Sequence, residues 1–385
     1  MLLLNIFVKN AFRHKLRTIL TIVGITIAIL AFGLLRTVVT AWYAGVEASS
    51  ASRLVTRNAI SLIFSLPISY REKLIRMPGV RQVSLANWFG GVYVTEKNFF
   101  PNFAIEPKSY LELYPEFVLE PAEKEAFLHD RKGAVAGRKL AQRFGWKVGD
   151  SIPLRGTIYP GTWLFVLRGI YRGAESSTDE NQFFFQWDHL NESMLKSTPR
   201  RANQVGVYVL GLTNPNMAAE VSRTVDATFK NSLAETLTET EKAFQLSFIA
   251  MTEAIVVAIQ IVSFVVIVII MAVVANTMAM TARERIGEYA VFKTLGFSWW
   301  HIAGMIFGES FFITFAGCAL GIALTFPVAR SFGAQLSSFF PTFNVARETI
   351  YLDLAAAIVI GLVAGIFPAW RAVTIRIADG LRRIG

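Results

Sequence analysis

Residues 281–297, T-A-R-E-R-I-G-E-Y-A-V-F-K-T-L-G-F, place Arg283, Glu284, Arg285, Glu288 and Lys293 on one short amphipathic stretch. Charges of both signs at helical spacing pair with one another or with a protein surface, and of themselves make or break no covalent bond. The stretch ends at Gly296, a residue suited to the left-handed conformation that closes a helix. It reads as a force-receiving helix. Acid-base chemistry has one other candidate, Asp188 and His189 with Glu192, and a solvated turn explains that group better. His14, His129, His189 and His301 are scattered, and there is no H-E-x-x-H, cysteine pair, G-x-S-x-G elbow or G-x-x-x-x-G-K-[ST] phosphate loop. Neither an enzyme nor a metal site is expected.

The elements around the charged stretch explain where it must work. Residues 254–275 are interrupted only by Gln260 and Ser263, and 302–327 are similarly apolar. At ~1.5 Å per residue each run can cross a ~30 Å hydrocarbon core. Residues 18–35, with an extension to 41, and 354–370 bring the spans to four. With 385 residues, 53% hydrophobic, 17% charged and a mean hydropathy of +0.44, the chain is an integral membrane protein.

The expected fold is four transmembrane α-helices with a large mixed α/β periplasmic domain between the first and second spans, on helical stalks. Its predicted segments are an interfacial helix over 1–17, spans at 18–41, within 232–275, at 302–327 and at 351–370, the large domain at 42–231, an inner loop at 276–301, a short outer loop at 328–350 and an inner tail at 371–385. Within 2–17, Leu3, Ile6, Phe7 and Phe12 lie against Lys9, Arg13 and Lys15, as suits a helix in the inner interface. Leu233, Leu237, Phe244, Phe248 and Met251 recur at helical spacing, which predicts a helix over 232–252 continuous with the second span. Residues 37–60 contain no proline, so the first span can also run on outward. Strands are expected at 80–94, 163–171 and 205–210, and helices at 68–76, 121–128, 138–144 and 216–230.

Orientation follows from Lys and Arg, which hold short loops inside. Lys9, Arg13, Lys15 and Arg17 precede the first span; Arg283, Arg285 and Lys293 follow the second; Arg371, Arg376, Arg382 and Arg383 follow the fourth. Both termini are therefore expected in the cytoplasm and the large domain outside. The net charge of +10 sits largely in these inner stubs, where anionic lipid accounts for it without nucleic acid. The apolar run of the first span exceeds a signal-peptide core, so it is read as a retained helix. The single Cys318 allows no bridge within the chain.

Inside the spans, Glu309 is an intramembrane carboxylate predicted to hydrogen-bond a neighbouring helix, with a proton relay as the other reading. Arg36 is expected to snorkel to the outer headgroups. Gly304 and Gly308, Gly317 and Gly321, and Gly361 and Gly365 form small-x-x-x-small faces that let helices approach, within one chain or between two copies.

The inner loop R-E-R-I-G-E-Y-A-V-F-K-T-L-G-F resembles the E-R-x-x-E-[IY]-[AG]-[VIL]-x-[KR]-[AT]-[LM]-G pattern of FtsX-like/MacB-type ABC transporter permeases. The start N-A-F-R-H-K-L-R-T-I-L-T-I-V-G-I, the end G-L-V-A-G-I-F-P-A-W-R-A-V-T-I-R-I-A-D-G-L-R, and residues 133–154, G-A-V-A-G-R-K-L-A-Q-R-F-G-W-K-V-G-D-S-I-P-L, are similar to that family in the same order. The resemblance implies a non-catalytic permease in the bacterial inner membrane, paired with a second copy or a related permease. It also implies a separate ABC ATPase that binds ATP and magnesium, since no nucleotide-binding domain is fused here. Arg283, Glu284, Arg285, Glu288, Lys293, Leu295 and Gly296 match the motif that couples to the ATPase. Movement of the periplasmic domain would export or extract a lipoprotein, glycolipid, peptide or drug, with or without a periplasmic adaptor and outer-membrane channel. The alternative is a signalling scaffold of the FtsX type that controls an envelope enzyme such as a peptidoglycan hydrolase.

Overall fold

The computed structural model describes residues 12–47, 49–175, 177–250, 252–335, 340 and 343–374. Residues 1–11 of the predicted interfacial helix over 1–17 and the tail beyond 374 lie outside the described residues; Phe12–His14 form a 3-10 turn and the first membrane helix starts at Lys15. The chain forms two compact units. One holds four helices long and apolar enough to cross a membrane; the other is built from Trp42–Thr252 with the short segment Gln335–Thr342.

The membrane helices are Lys15–Glu47, Glu253–Glu284, Trp299–Gln335 and Arg347–Thr374. The third runs through Pro327, where the sequence predicted its end, and the fourth contains Pro368. Neighbouring helices and side chains in a bundle can satisfy the carbonyl a proline frees, so such helices continue. Gly317 and Gly321 let the third helix touch the first: a Cβ there would stand 2.7 Å from the Cβ of Ile25 and of Ile29. Gly361 and Gly365 receive the rings of Phe311 and Phe307 in the same way. Four of the six predicted packing glycines therefore serve contacts within this chain. Gly304 is exposed with nothing near its Cβ position, and Gly308 is half-buried. Asp353, an intramembrane acid not singled out by the sequence, is 1% exposed beside Gly33 and Thr325.

The large domain is mixed α/β. Its strands are β1 Arg53–Asn58, β2 Leu66–Pro67, β3 Val80–Trp88, β4 Gly91–Val92, β5 Asn102–Ile105, β6 Phe117–Val118, β7 Gly133–Gly137, β8 Ser151–Gly156, β9 Gly161–Gly173, β10 Phe183–Gln186, β11 Gln204–Val205, β12 Val207–Leu212 and β13 Thr236–Thr240. The main sheet runs β13-β1-β12-β3-β5-β10-β7-β9-β8-β4, with β5-β10 and β7-β9 parallel. Side chains alternate between faces. Phe183 and Phe185 enter the larger core with Leu54, Leu85, Tyr208 and Leu210, while Phe184 enters a second core on the opposite face with Tyr110, Tyr171 and Val209. A central strand buried on both faces reads as an unbroken apolar run, so periodicity does not reveal it. Gly137 ends β7 where a Cβ would collide with the backbone carbonyl of Glu180.

The stalk differs from the prediction. The first membrane helix does extend outward to Glu47, but the chain then forms β1. Residues 236–240 are also a strand, paired antiparallel with β1 from Leu54↔Thr240 to Asn58↔Thr236. The threonines of T-L-T-E-T favour the extended chain, and pairing with β1 overrides the helical spacing of the leucines. Helix Glu241–Ala250 follows and is separate from the second membrane helix. The Thr252 N–H closes a turn onto the Ile249 carbonyl at 2.8 Å, and its hydroxyl accepts from Trp42 Nε1 at 3.0 Å. The second span is thus not the end of one unbroken rod beginning at Ser232.

Replacing Gly317 by leucine forces the first and third helices apart and should cost about 1–3 kcal/mol, read as a lower melting temperature of the purified protein. Gly304→Leu, facing open space, should leave melting unchanged. Equal losses in the two variants would contradict this packing.

Candidate functional site: the loop between the second and third membrane helices

The charged stretch folds as helix Ile286–Thr294, between the membrane helices that end at Glu284 and begin at Trp299. Its end is fixed by backbone bonds. Gly296 has φ +86°, its N–H meets the Lys293 carbonyl at 3.1 Å, and the Phe297 N–H meets the Phe292 carbonyl at 3.0 Å. The rings of Phe292 and Phe297 lie 5.5 Å apart, completing a Schellman motif with its hydrophobic contact.

Arg285 is the centre of the loop. It is 7% exposed; Nη1 donates to Glu309 Oε2 at 2.9 Å, and Nε donates to Glu288 Oε2 at 3.1 Å. Its guanidinium lies 5.8 Å from the ring centroid of buried Tyr289. Glu309, 4% exposed, is met by Arg285, the residue that directly follows the second membrane helix. Glu288 also pairs with Arg13. Burial opposes ionisation of Glu288, but the bonds from Arg13 and Arg285 prevail and hold its pKa below the usual carboxylate range.

The other charged positions are also engaged. Arg17 forms a two-pronged pair with Glu284 at 2.7 and 2.9 Å, joined by His14 at 3.3 Å. Lys293 Nζ donates to the carbonyl of Val373, in the last turn of the fourth membrane helix, at 2.6 Å. Of the seven residues read from the sequence, Arg285, Glu288, Glu284 and Lys293 hold this unit together, and Arg283, Leu295 and Gly296 face outward. The exposed residues include a group of large apolar ones: Leu295 is 68% exposed, Trp300 68%, Trp299 49%, Phe297 46% and Val291 39%. The sequence reading missed the partners Arg13, Arg17 and Val373. An acid within a span and an arginine just outside it are the signal that would have joined Glu309 to Arg285.

The acid-base group does not converge. Glu192 pairs with Arg131 at 2.7 Å, and His189 stands edge-on to Trp163 with centroids 5.5 Å apart. Burial lowers the His189 pKa.

Residues 18–228 match the MacB-like periplasmic core domain and residues 260–377 the C-terminal part of the FtsX-like permeases. An uncharacterized ABC transporter permease of Methanocaldococcus jannaschii is 23% identical, with the match covering 94% of this chain and 92% of that protein. Two solved structures overlap the chain. The extracellular domain of the ABC-type transporter YknZ from Gram-positive bacteria has a TM-score of 0.35 at 11% identity, covering 49% of this chain and 100% of that one. A domain described as that of a permease protein from Porphyromonas gingivalis has a TM-score of 0.35 at 12% identity, covering 50% and 92%. The core-domain match alone spans more than half of the sequence, and the chain belongs to the MacB/FtsX family of ABC transporter permeases.

Proposed function

We propose that a separate ATPase subunit, which binds ATP and magnesium, docks on the loop 285–298 and that its movement drives the large domain to export or extract a substrate from the membrane or cell envelope. The observation that carries this reading is the division within the loop. Its buried charges bind the helix to the rest of the unit, while Val291, Leu295 and Phe297 form an exposed apolar row. An apolar patch rimmed by polar residues marks a protein contact. Arg285 and Glu309 then act as the link through which force on the loop helix reaches the third membrane helix. The excess of Lys and Arg supports both termini in the cytoplasm, the loop inside and the core domain outside an inner membrane. A second permease copy, or a related permease, completes the transporter. A periplasmic adaptor and outer channel belong to this reading where the substrate must leave the envelope.

Leu295→Asp is the clean probe of docking, because Glu288→Arg would set a third guanidinium beside Arg13 and Arg285. The variant should keep its melting temperature and lose the ATPase that co-purifies with the wild-type chain from native membranes. Retention of that ATPase at wild-type stoichiometry would refute docking at this face.

Removing one member of the buried pair strands the other. Arg285→Gln or Glu309→Gln should each cost about 3–5 kcal/mol, and the double variant less than their sum. Thermal melting of the three proteins checks this; additive losses would show that the pair is not coupled.

A further inference from the structure

We infer that the large domain contains a binding cleft for an organic cation with an apolar body. The cleft measures about 590 Å³, within the ~300–1,000 Å³ of small-molecule sites. Val55 of β1, Phe103 of β5, and Val207 and Val209 of β12 line it on the sheet face opposite the larger core. Tyr110, Tyr114 and Phe117 supply aromatic walls.

The charged residues lining the cleft are Arg53, Glu116, Glu175, Asp179 and Glu241. Arg53 is already committed: its guanidinium bonds Glu116 at 2.6 Å and Glu241 at 2.8 Å and lies 4.1 Å from the Tyr114 ring centroid. Glu175 and Asp179 belong to none of the described ion pairs. Asp179 accepts from the Asn181 N–H at 2.9 Å and Gln182 Nε2 at 3.1 Å; burial raises its pKa, and the charge of Lys139 opposes that shift. Glu116, Glu175 and Glu241 thus face one guanidinium, which already covers a face of Tyr114. An anion entering the cleft meets that surplus of negative charge. A cation gains the carboxylates, and its apolar body lies against the aromatic walls and the valine floor. Glu241 and Phe244 at the rim lie on helix Glu241–Ala250, so an occupant rests against the segment leading to the second membrane helix.

The site is tested without the ATPase, so its failure is separate from failure of docking. The full-length protein in phosphatidylcholine nanodiscs is titrated with berberine, an aromatic cation that fluoresces in apolar sites, and with the anion 1-anilinonaphthalene-8-sulfonate, each against empty nanodiscs. Saturable binding of berberine alone is expected. Glu175→Gln, an exposed position, should weaken it about fivefold, and Val207→Trp, which fills the floor, should abolish it at an unchanged melting temperature. Berberine signal no greater than in empty nanodiscs, stronger saturable binding of the anion, or wild-type affinity in Glu175→Gln would overturn the proposal.

Discussion

A guanidinium removed from water must be paired, and burial of Arg285 sets the order of everything around it. The effective cost of an uncompensated buried ion is several kcal/mol, so Glu309 and Glu288 are requirements of the fold before they are features of a site. Glu288 recruits Arg13 from the segment before the first membrane helix, and Lys293 closes on the last turn of the fourth. The loop helix is consequently tied to the first, third and fourth helices. The loop's apolar residues Val291, Leu295 and Phe297 stay exposed.

The large domain repeats this solution. Arg53 has two carboxylates, Glu116 and Glu241, and a tyrosine face, Tyr114; Arg285 has Glu288, Glu309 and Tyr289. Each arginine joins segments distant in sequence, and each uses the planar fork of donors that a lysine lacks. Arg53 collects the start of β1, the chain before β6 and the first residue of helix Glu241–Ala250. Arg53 fixes the relative position of three backbone segments, and Arg285 that of two, the loop helix and the third membrane helix.

The four spans, the core domain between the first two and the loop helix were legible because uninterrupted apolar length and the loop motif are local signals. Central strands were harder to read. Phe183 to Phe185 carry no alternation because both faces of β10 are buried, and β1 was absorbed into an outward extension of the first helix. The T-L-T-E-T segment carried leucines at helical spacing, but its strand state is decided by β1, which is far away in sequence. Within the loop, composition identified the charged residues and not their direction. The residues that appeared suited to meeting a partner, Arg285 and Glu288, are paired within the unit because Glu309 and Arg13 lie within reach, a fact that only the packed bundle contains.

The pairing of β1 with β13 has a consequence for how such a chain can be rebuilt. Leu54 and Thr240 are cross-strand neighbours, so the strands through which the domain begins and ends lie side by side, ~5 Å apart. To the membrane helices the core domain is a graft on two adjacent stems, and its termini meet the condition under which domains are inserted or exchanged without rethreading the host. A foreign domain of like stem spacing could be spliced there while the bundle and its loop are kept. Recombination at these two strands would give one membrane engine many different heads.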